Sequence, residues 1–208
     1  GLIAGASKWL LAPGGRHVVN PAATGVAIAS LTGLSVGFWW VATPALTPLI
    51  IIGGALVAYR SGHSLVVGAF IGLALVLLLT RLLVSGEPAT ESLWLAVTSY
   101  PVIFMGAFMV SEPLTMATRR IDRLIAAAVM AVITAFPLTV SVGGFGLSTS
   151  AELALLAGNL VAWVLTILRD VRRSTAAELV DVTPKSPTIS EYRFKSMSRL
   201  SLEPGQWL

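Results

Sequence analysis

Apolar residues in this chain fall in long blocks separated by short polar breaks, and these blocks fill residues 1–168. About 20 apolar residues at ~1.5 Å rise per residue cross a hydrocarbon core ~30 Å thick. On that scale seven segments read as crossings. They are Gly1–Ala12 (the end of a helix), Pro21–Trp40, the short Pro44–Tyr59 with Gly53 and Gly54 inside it, and Ser64–Leu83, the most apolar. Leu93–Val110, interrupted by Pro101, Ile121–Val140, with Pro137 near its end, and Ala151–Leu168 complete the set. The pattern predicts an all-α polytopic membrane protein of about seven transmembrane segments, the first one truncated.

Beyond Arg173 the pattern changes. Residues 174–188 are polar and contain Pro184 and Pro187, which predicts a linker. Ile189-Ser-Glu-Tyr-Arg-Phe-Lys195 alternates apolar and polar residues, a strand signal. Leu200–Leu208 reads as strand, tight Pro-Gly turn and second strand. The expected organisation is a helical membrane domain over 1–173, a linker over 174–188 and the first strands of a β-barrel domain over 189–208.

Composition agrees with the block pattern. Charged residues make up 12% of the chain, against roughly 25% in soluble domains, and the deficit lies in the first 168 residues. Gly1 opens an apolar run with no basic flank and no small-residue cleavage site, so a signal peptide is not expected and the chain reads as a piece of something longer. There is no cysteine, which excludes disulfides, cysteine-ligated clusters and thiol chemistry within the chain.

The charges also suggest an orientation. If all seven segments cross, Lys8, Arg16, Arg60, Arg119, Arg120, Arg123, Arg169, Arg172 and Arg173 share one side, and Arg81 stands alone on the other with Glu87 and Glu91. Basic residues favour the cytoplasmic side, so a cytoplasmic tail and a bacterial-type inner membrane are expected. This arrangement accounts for the net charge of +4, and nucleic acid is not an expected partner.

Two polar interruptions carry similar grammar. Asn20-Pro21-Ala-Ala-Thr24 and Glu112-Pro113-Leu-Thr115 each set Pro directly after a polar residue, with Thr close behind. The plain reading of both is a capped helix start: Asn at the cap, or Ser111 or Glu112 capping a short helix begun by Pro113. The sharper reading is a functional group at the membrane edge, or two halves of an internal repeat. Asn159 lies within an apolar segment, where its amide needs an interhelical or ligand partner. Trp9, Trp39, Trp40, Trp94 and Trp163 read as interface anchors. His17 and His63 fall in loops, which argues against a haem held between them. Gly143-Gly144-Phe-Gly146 lacks a following Lys-Ser/Thr and suggests a turn or re-entrant loop. No Ser-His-Asp, zinc or Walker arrangement is present in the sequence.

The run Gly106-Ala-Phe-Met-Val-Ser-Glu-Pro-Leu-Thr115 resembles the Gly-Ala-Phe…Thr-Asp-Pro-Val-Thr signature of the RnfD/NqrB family, membrane subunits of ion-pumping, flavin-carrying electron-transport complexes. Gly15-Arg-His-Val-Val-Asn-Pro-Ala-Ala-Thr-Gly25 resembles that family's stretch ending Phe-Asn-Pro-Ala, and Leu155-Leu-Ala-Gly-Asn159 its Leu-Leu-Ala-Asn. The three pieces fall in the family's order over about residues 5–170. The resemblance implies an inverted-repeat helical bundle with Asn20, Pro21, Glu112, Pro113, Thr115 and Asn159 as candidate cofactor-binding positions, without a catalytic residue or a metal ligand. The family's covalent flavin sits on Thr of a Ser-Gly-Ala-Thr motif. Here Thr43 follows Trp-Val-Ala, which argues against covalent FMN, while a non-covalent flavin or quinone remains open. The tail, Tyr192-Arg-Phe and Leu202-Glu-Pro-Gly-Gln-Trp-Leu208, resembles the opening of a ferredoxin–NADP reductase-type FAD domain. Together these imply the membrane module of an oxidoreductase. It would pass electrons between a cytoplasmic NAD(P)H/FAD reductase domain of the same polypeptide and a membrane acceptor, which is a quinone, a flavin or a redox partner protein. By itself the chain is not expected to be catalytic. The alternatives are a cofactor-free membrane anchor for the reductase domain and a transporter-like module.

Overall fold

A computed structural model describes residues 1–13, 16–32, 39, 41–137, 139–142, 145–148, 151–170, 177–186 and 188–196. The helices are α1 (Leu2–Leu10), α2 (Pro21–Leu31), α3 (Thr47–Arg60), α4 (Ser64–Val84), α5 (Ala89–Thr98), α6 (Val102–Phe104), α7 (Arg120–Ala135) and α8 (Ala151–Asp170). A π-helical turn, Met105–Met109, continues α6.

The expectation of seven crossings followed by a barrel does not hold. Among the described residues only α4 and α8 are long and apolar enough to cross a membrane, and a third crossing results only if α5 and α6 with the π turn, bent by 44°, count as one. The reason is length. α2 has 11 residues and α3 has 14, so at ~1.5 Å per residue they reach about 16 and 21 Å. The helix expected over Ile121–Val140 stops at Ala135, two residues before Pro137, because the residue preceding a proline is pushed out of the α region. Thr139–Val142 (β1) then pairs antiparallel with Phe145–Ser148 (β2).

In place of a barrel there is a second two-stranded sheet. Ala177–Ser186 (β3), within the stretch expected as linker, pairs antiparallel with Ile189–Ser196 (β4). β4 is the strand that the alternation at Ile189–Lys195 predicts. The strand–turn–strand expected over Leu200–Leu208 lies outside the described residues, as do Gly143, Gly144 and Trp40.

The core is a three-helix layer in which α7 packs between α4 and α8. Phe70 and Leu78 of α4, Val102 and Met105 beyond the Pro101 bend, and Leu155 of α8 are fully buried. The α7 face toward them is Ala126, Ala127, Met130, Ala131 and Ala135. Small residues at helical spacing let backbones approach closely, the usual solution where lipid gives no hydrophobic drive between helices. Gly106 serves the same end, since a Cβ there would sit 2.6 Å from Ile71 Cγ1.

Helix directions follow from the ends. Arg81, near the end of α4, donates to the carbonyl of Ala135, the last residue of α7, at 2.7 Å. Val66, near the start of α4, shares a small cavity with Arg123 and Ala126 from the first half of α7. α4 and α7 are therefore parallel. Arg169, at the end of α8, pairs with Asp122 at the start of α7, so α8 runs the other way. One end of the bundle thus gathers Arg119, Arg123 and Arg169, and the opposite end holds Arg81. Between α3 and α4 the chain reverses at Gly62, whose φ of 70° supplies the left-handed residue of a Schellman ending: Gly62 N–H bonds to Tyr59 O and His63 N–H to Ala58 O.

Candidate functional site

Asn20 does what its position before Pro21 predicts. Its side chain accepts from Ala23 N–H at 3.0 Å and caps α2, and Pro21 occupies the first turn, where its missing N–H costs nothing. The hydroxyl of Thr24 returns to the Asn20 carbonyl at 2.8 Å. Asn20 also has a second set of partners, distant in sequence. Its backbone N–H donates to Asn159 Oδ1 at 2.9 Å, and its Nδ2 donates to Glu112 Oε2 at 2.5 Å. Three polar residues from three separate apolar stretches thus form one hydrogen-bonded junction.

Glu112 reaches that junction from a chain that is not helical. The π turn closes with Val110 N–H on Met105 O at 2.8 Å, and Ser111 donates its hydroxyl to Ala107 O at 2.6 Å. Residues 112–119 then run in turns and bends until α7 begins. The short helix that Pro113 was expected to start is absent. Pro113 is exposed at the corner, while Thr115 is buried and contributes N–H (3.3 Å) and Oγ (3.4 Å) donors to the Glu112 carbonyl. The structure therefore brings Asn20, Pro21, Glu112, Thr115 and Asn159 together and leaves Pro113 on the outside.

The junction has a defined level along α8. The charge pattern puts Glu112 at the membrane edge. Asn159 stands midway along the apolar stretch Ala151–Arg169. Ten residues at ~1.5 Å separate it from Arg169, about 15 Å, half of a ~30 Å hydrocarbon core. The junction lies level with the middle of α8, with a helix start (α2) on one side and the end of a broken helix (α5–α6–π turn) on the other.

Between the junction and the arginine-bearing end, backbone carbonyls of the 116–119 stretch are taken up by arginines. Arg16 donates to Met116 O at 2.6 Å, and Arg123 donates to Ala117 O at 2.8 Å and Thr118 O at 3.1 Å. Asp122 is fully buried and pairs with Arg169, which also receives a bond from Arg119 on its carbonyl at 3.2 Å. Sequence reasoning grouped these arginines as an orientation signal and missed their work on the irregular backbone. The one acidic residue inside the Arg119–Arg123 run was the available clue to the buried pair. His63, at the start of α4, is buried with Nδ1 unpartnered among the described residues. Burial, and secondarily the Arg123 charge, hold its imidazole below the ordinary value near 6.5.

The junction is closely packed. The cavity beside it measures about 10 Å³. Space for a ring system occurs elsewhere, in an open cavity of about 720 Å³ between α3 and α5, with Pro44, Thr47, Pro48, Ile52, Trp94 and Thr98 among its walls. Trp9 and Trp94 are exposed, and Trp39 packs edge-on against Phe104 at 6.0 Å. No protein-family model matches the chain, and no curated protein and no solved structure matches it; the family resemblance rests on the quoted residues alone.

Proposed function

We propose that this chain is the membrane module of a flavin-dependent electron-transfer oxidoreductase, linking a cytoplasmic NAD(P)H/FAD reductase domain of the same polypeptide to a membrane acceptor. The observation that supports the reading is convergence. The three runs on which the RnfD/NqrB resemblance rests have 80 and 39 residues between them, yet their polar residues Asn20, Glu112 and Asn159 meet in one bonded junction. In this reading the junction clamps the start of α2 to the end of the broken α5–α6–π segment, while the acceptor binds elsewhere. The cavity between α3 and α5 is walled by aliphatic, proline and indole surface with a few threonine hydroxyls. Ligand sites of this size are mostly apolar with a few polar groups for orientation. That chemistry suits a quinone ring and its isoprenoid tail better than the polar edge of a flavin. The arginine cluster at the start of α7 and the end of α8 supports a cytoplasmic orientation for that end in an inner membrane.

The test is an optical spectrum and organic extract of the purified membrane protein, followed by titration with a short-chain quinone monitored by tryptophan fluorescence. Binding is expected, and it should be lost in Ile52→Trp and Thr98→Leu, which fill the cavity. A colourless, quinone-free protein that binds neither quinone nor flavin sinks the proposal and leaves the membrane anchor. A transporter-like module is the second reading, favoured by a helix start and a broken-helix end meeting level with the middle of α8, the kind of place where such proteins build their sites. Solute flux in proteoliposomes without any redox ligand would select it.

A further inference from the structure

The cavity beside the junction is lined by Thr115, Met116, Arg123, Met130, Asn159 and Ala162, among others, and its volume of about 10 Å³ is near the minimum that admits one water. Asn159 is 2% exposed. Its Oδ1 receives the Asn20 N–H, but its Nδ2 makes no hydrogen bond among the described residues. In hydrocarbon an unmet amide donor has no solvent to turn to. Thr115 Oγ spends its proton on the Glu112 carbonyl and keeps lone pairs free to accept. The cavity therefore offers one donor and one acceptor at the same place, the minimum a buried water needs. Toward the Arg81 end the bundle is closed by fully buried apolar side chains, Phe70, Leu78, Met105 and Leu155.

We propose that this cavity is a water-binding site at the middle of the membrane. The water accepts from Asn159 Nδ2 and donates to Thr115 Oγ, completing the hydrogen bonding of the Asn20–Glu112–Asn159 junction and hydrating the bundle from its arginine-bearing side only. The site is independent of the redox reading and rests on α8 only for its depth.

Radiolytic footprinting of the full chain in lipid tests it. A millisecond X-ray pulse makes hydroxyl radical from bound water, which oxidises an adjacent methionine to sulfoxide. Met116 and Met130 line the cavity. Met105 is as buried as either, lies outside the cavity lining, and serves as the internal control. Met116 and Met130 should oxidise while Met105 does not. Asn159→Leu, which removes the donor, and Ala162→Val, which fills the space, should each abolish oxidation at Met130. Oxidation of Met116 and Met130 at the Met105 rate in the unaltered chain overturns the proposal, whether or not either variant folds. So does oxidation that persists undiminished in both variants.

Discussion

Replacing Asn20 by alanine removes two side-chain interactions and leaves a third intact. The lost cap on Ala23 N–H costs ~1 kcal/mol, within a usual range of about 0.5–2. The lost bond to Glu112 is worth ~0.5–1.5 kcal/mol by the usual range for a hydrogen bond. Interhelical hydrogen bonds measured inside membranes average only ~0.6 kcal/mol and reach about 1.7. Glu112 is half-buried, so ~1 kcal/mol is the appropriate figure. The bond to Asn159 uses the backbone N–H and survives. Asn20→Ala should therefore cost about 2 kcal/mol, some thirtyfold in the folding constant. Asn20→Ser keeps an N-cap hydroxyl and should cost about half as much. The assay is reversible unfolding in mixed detergent micelles, followed by circular dichroism. A cycle with Glu112→Ala isolates the pair: in that background Asn20→Ser should be close to neutral. If Asn20→Ser costs the same ~1 kcal/mol with Glu112 absent, the bond contributes nothing and the junction is a geometric coincidence.

Three further outcomes follow from the same structure. Gly158 has no room for a side chain, because a Cβ there would collide with Met130 Cγ; Gly158→Val should destabilise by roughly 1–3 kcal/mol, and Met130→Ala in the same chain should recover part of the loss of melting temperature. Arg169→Ala leaves Asp122 buried without its cation, a loss of about 3 kcal/mol at the low end of the usual range because the Arg169 side chain is 37% exposed; the paired Asp122→Leu, Arg169→Met variant should melt above the single one. His63 keeps its proton less readily folded than unfolded, so the unfolded chain binds more protons just below its ordinary value near 6.5. Stability should be unaffected by this group above about pH 7, fall as pH drops through ~6.5 with a slope of at most ~1.4 kcal/mol per unit, and level off below the folded value; chemical-denaturation midpoints against pH should flatten in His63→Gln.

Much of this molecule was legible along the chain because the relevant physics is local. α4 and α8 are continuous apolar runs of crossing length, and their bounds lie within a residue or two of those expected. Asn20-Pro21 is a helix start because a cap oxygen and a missing N–H act within one turn, and β4 follows from period-two alternation. Pro101 marks the bend for the same kind of reason. The described part of 21–40 holds the 11-residue α2, and 44–59, already short for a crossing, holds the 14-residue α3. Composition does not distinguish a crossing helix from a short one packed against its neighbours, and 174–188 reads as linker although β3 forms there through pairing with β4.

The sequence by itself determined where the apolar mass lies, that α4 and α8 are of crossing length, and that Asn20, Glu112 and Asn159 are polar exceptions needing partners. Only the tertiary structure decided that they are one another's partners, level with the middle of α8. The physical reason is that a buried hydrogen bond is specified by where packing brings two groups together. That packing depends on small residues on α7 and on a close approach at Gly106 that act across the bundle, over separations of 92 and 139 residues for the two junction bonds.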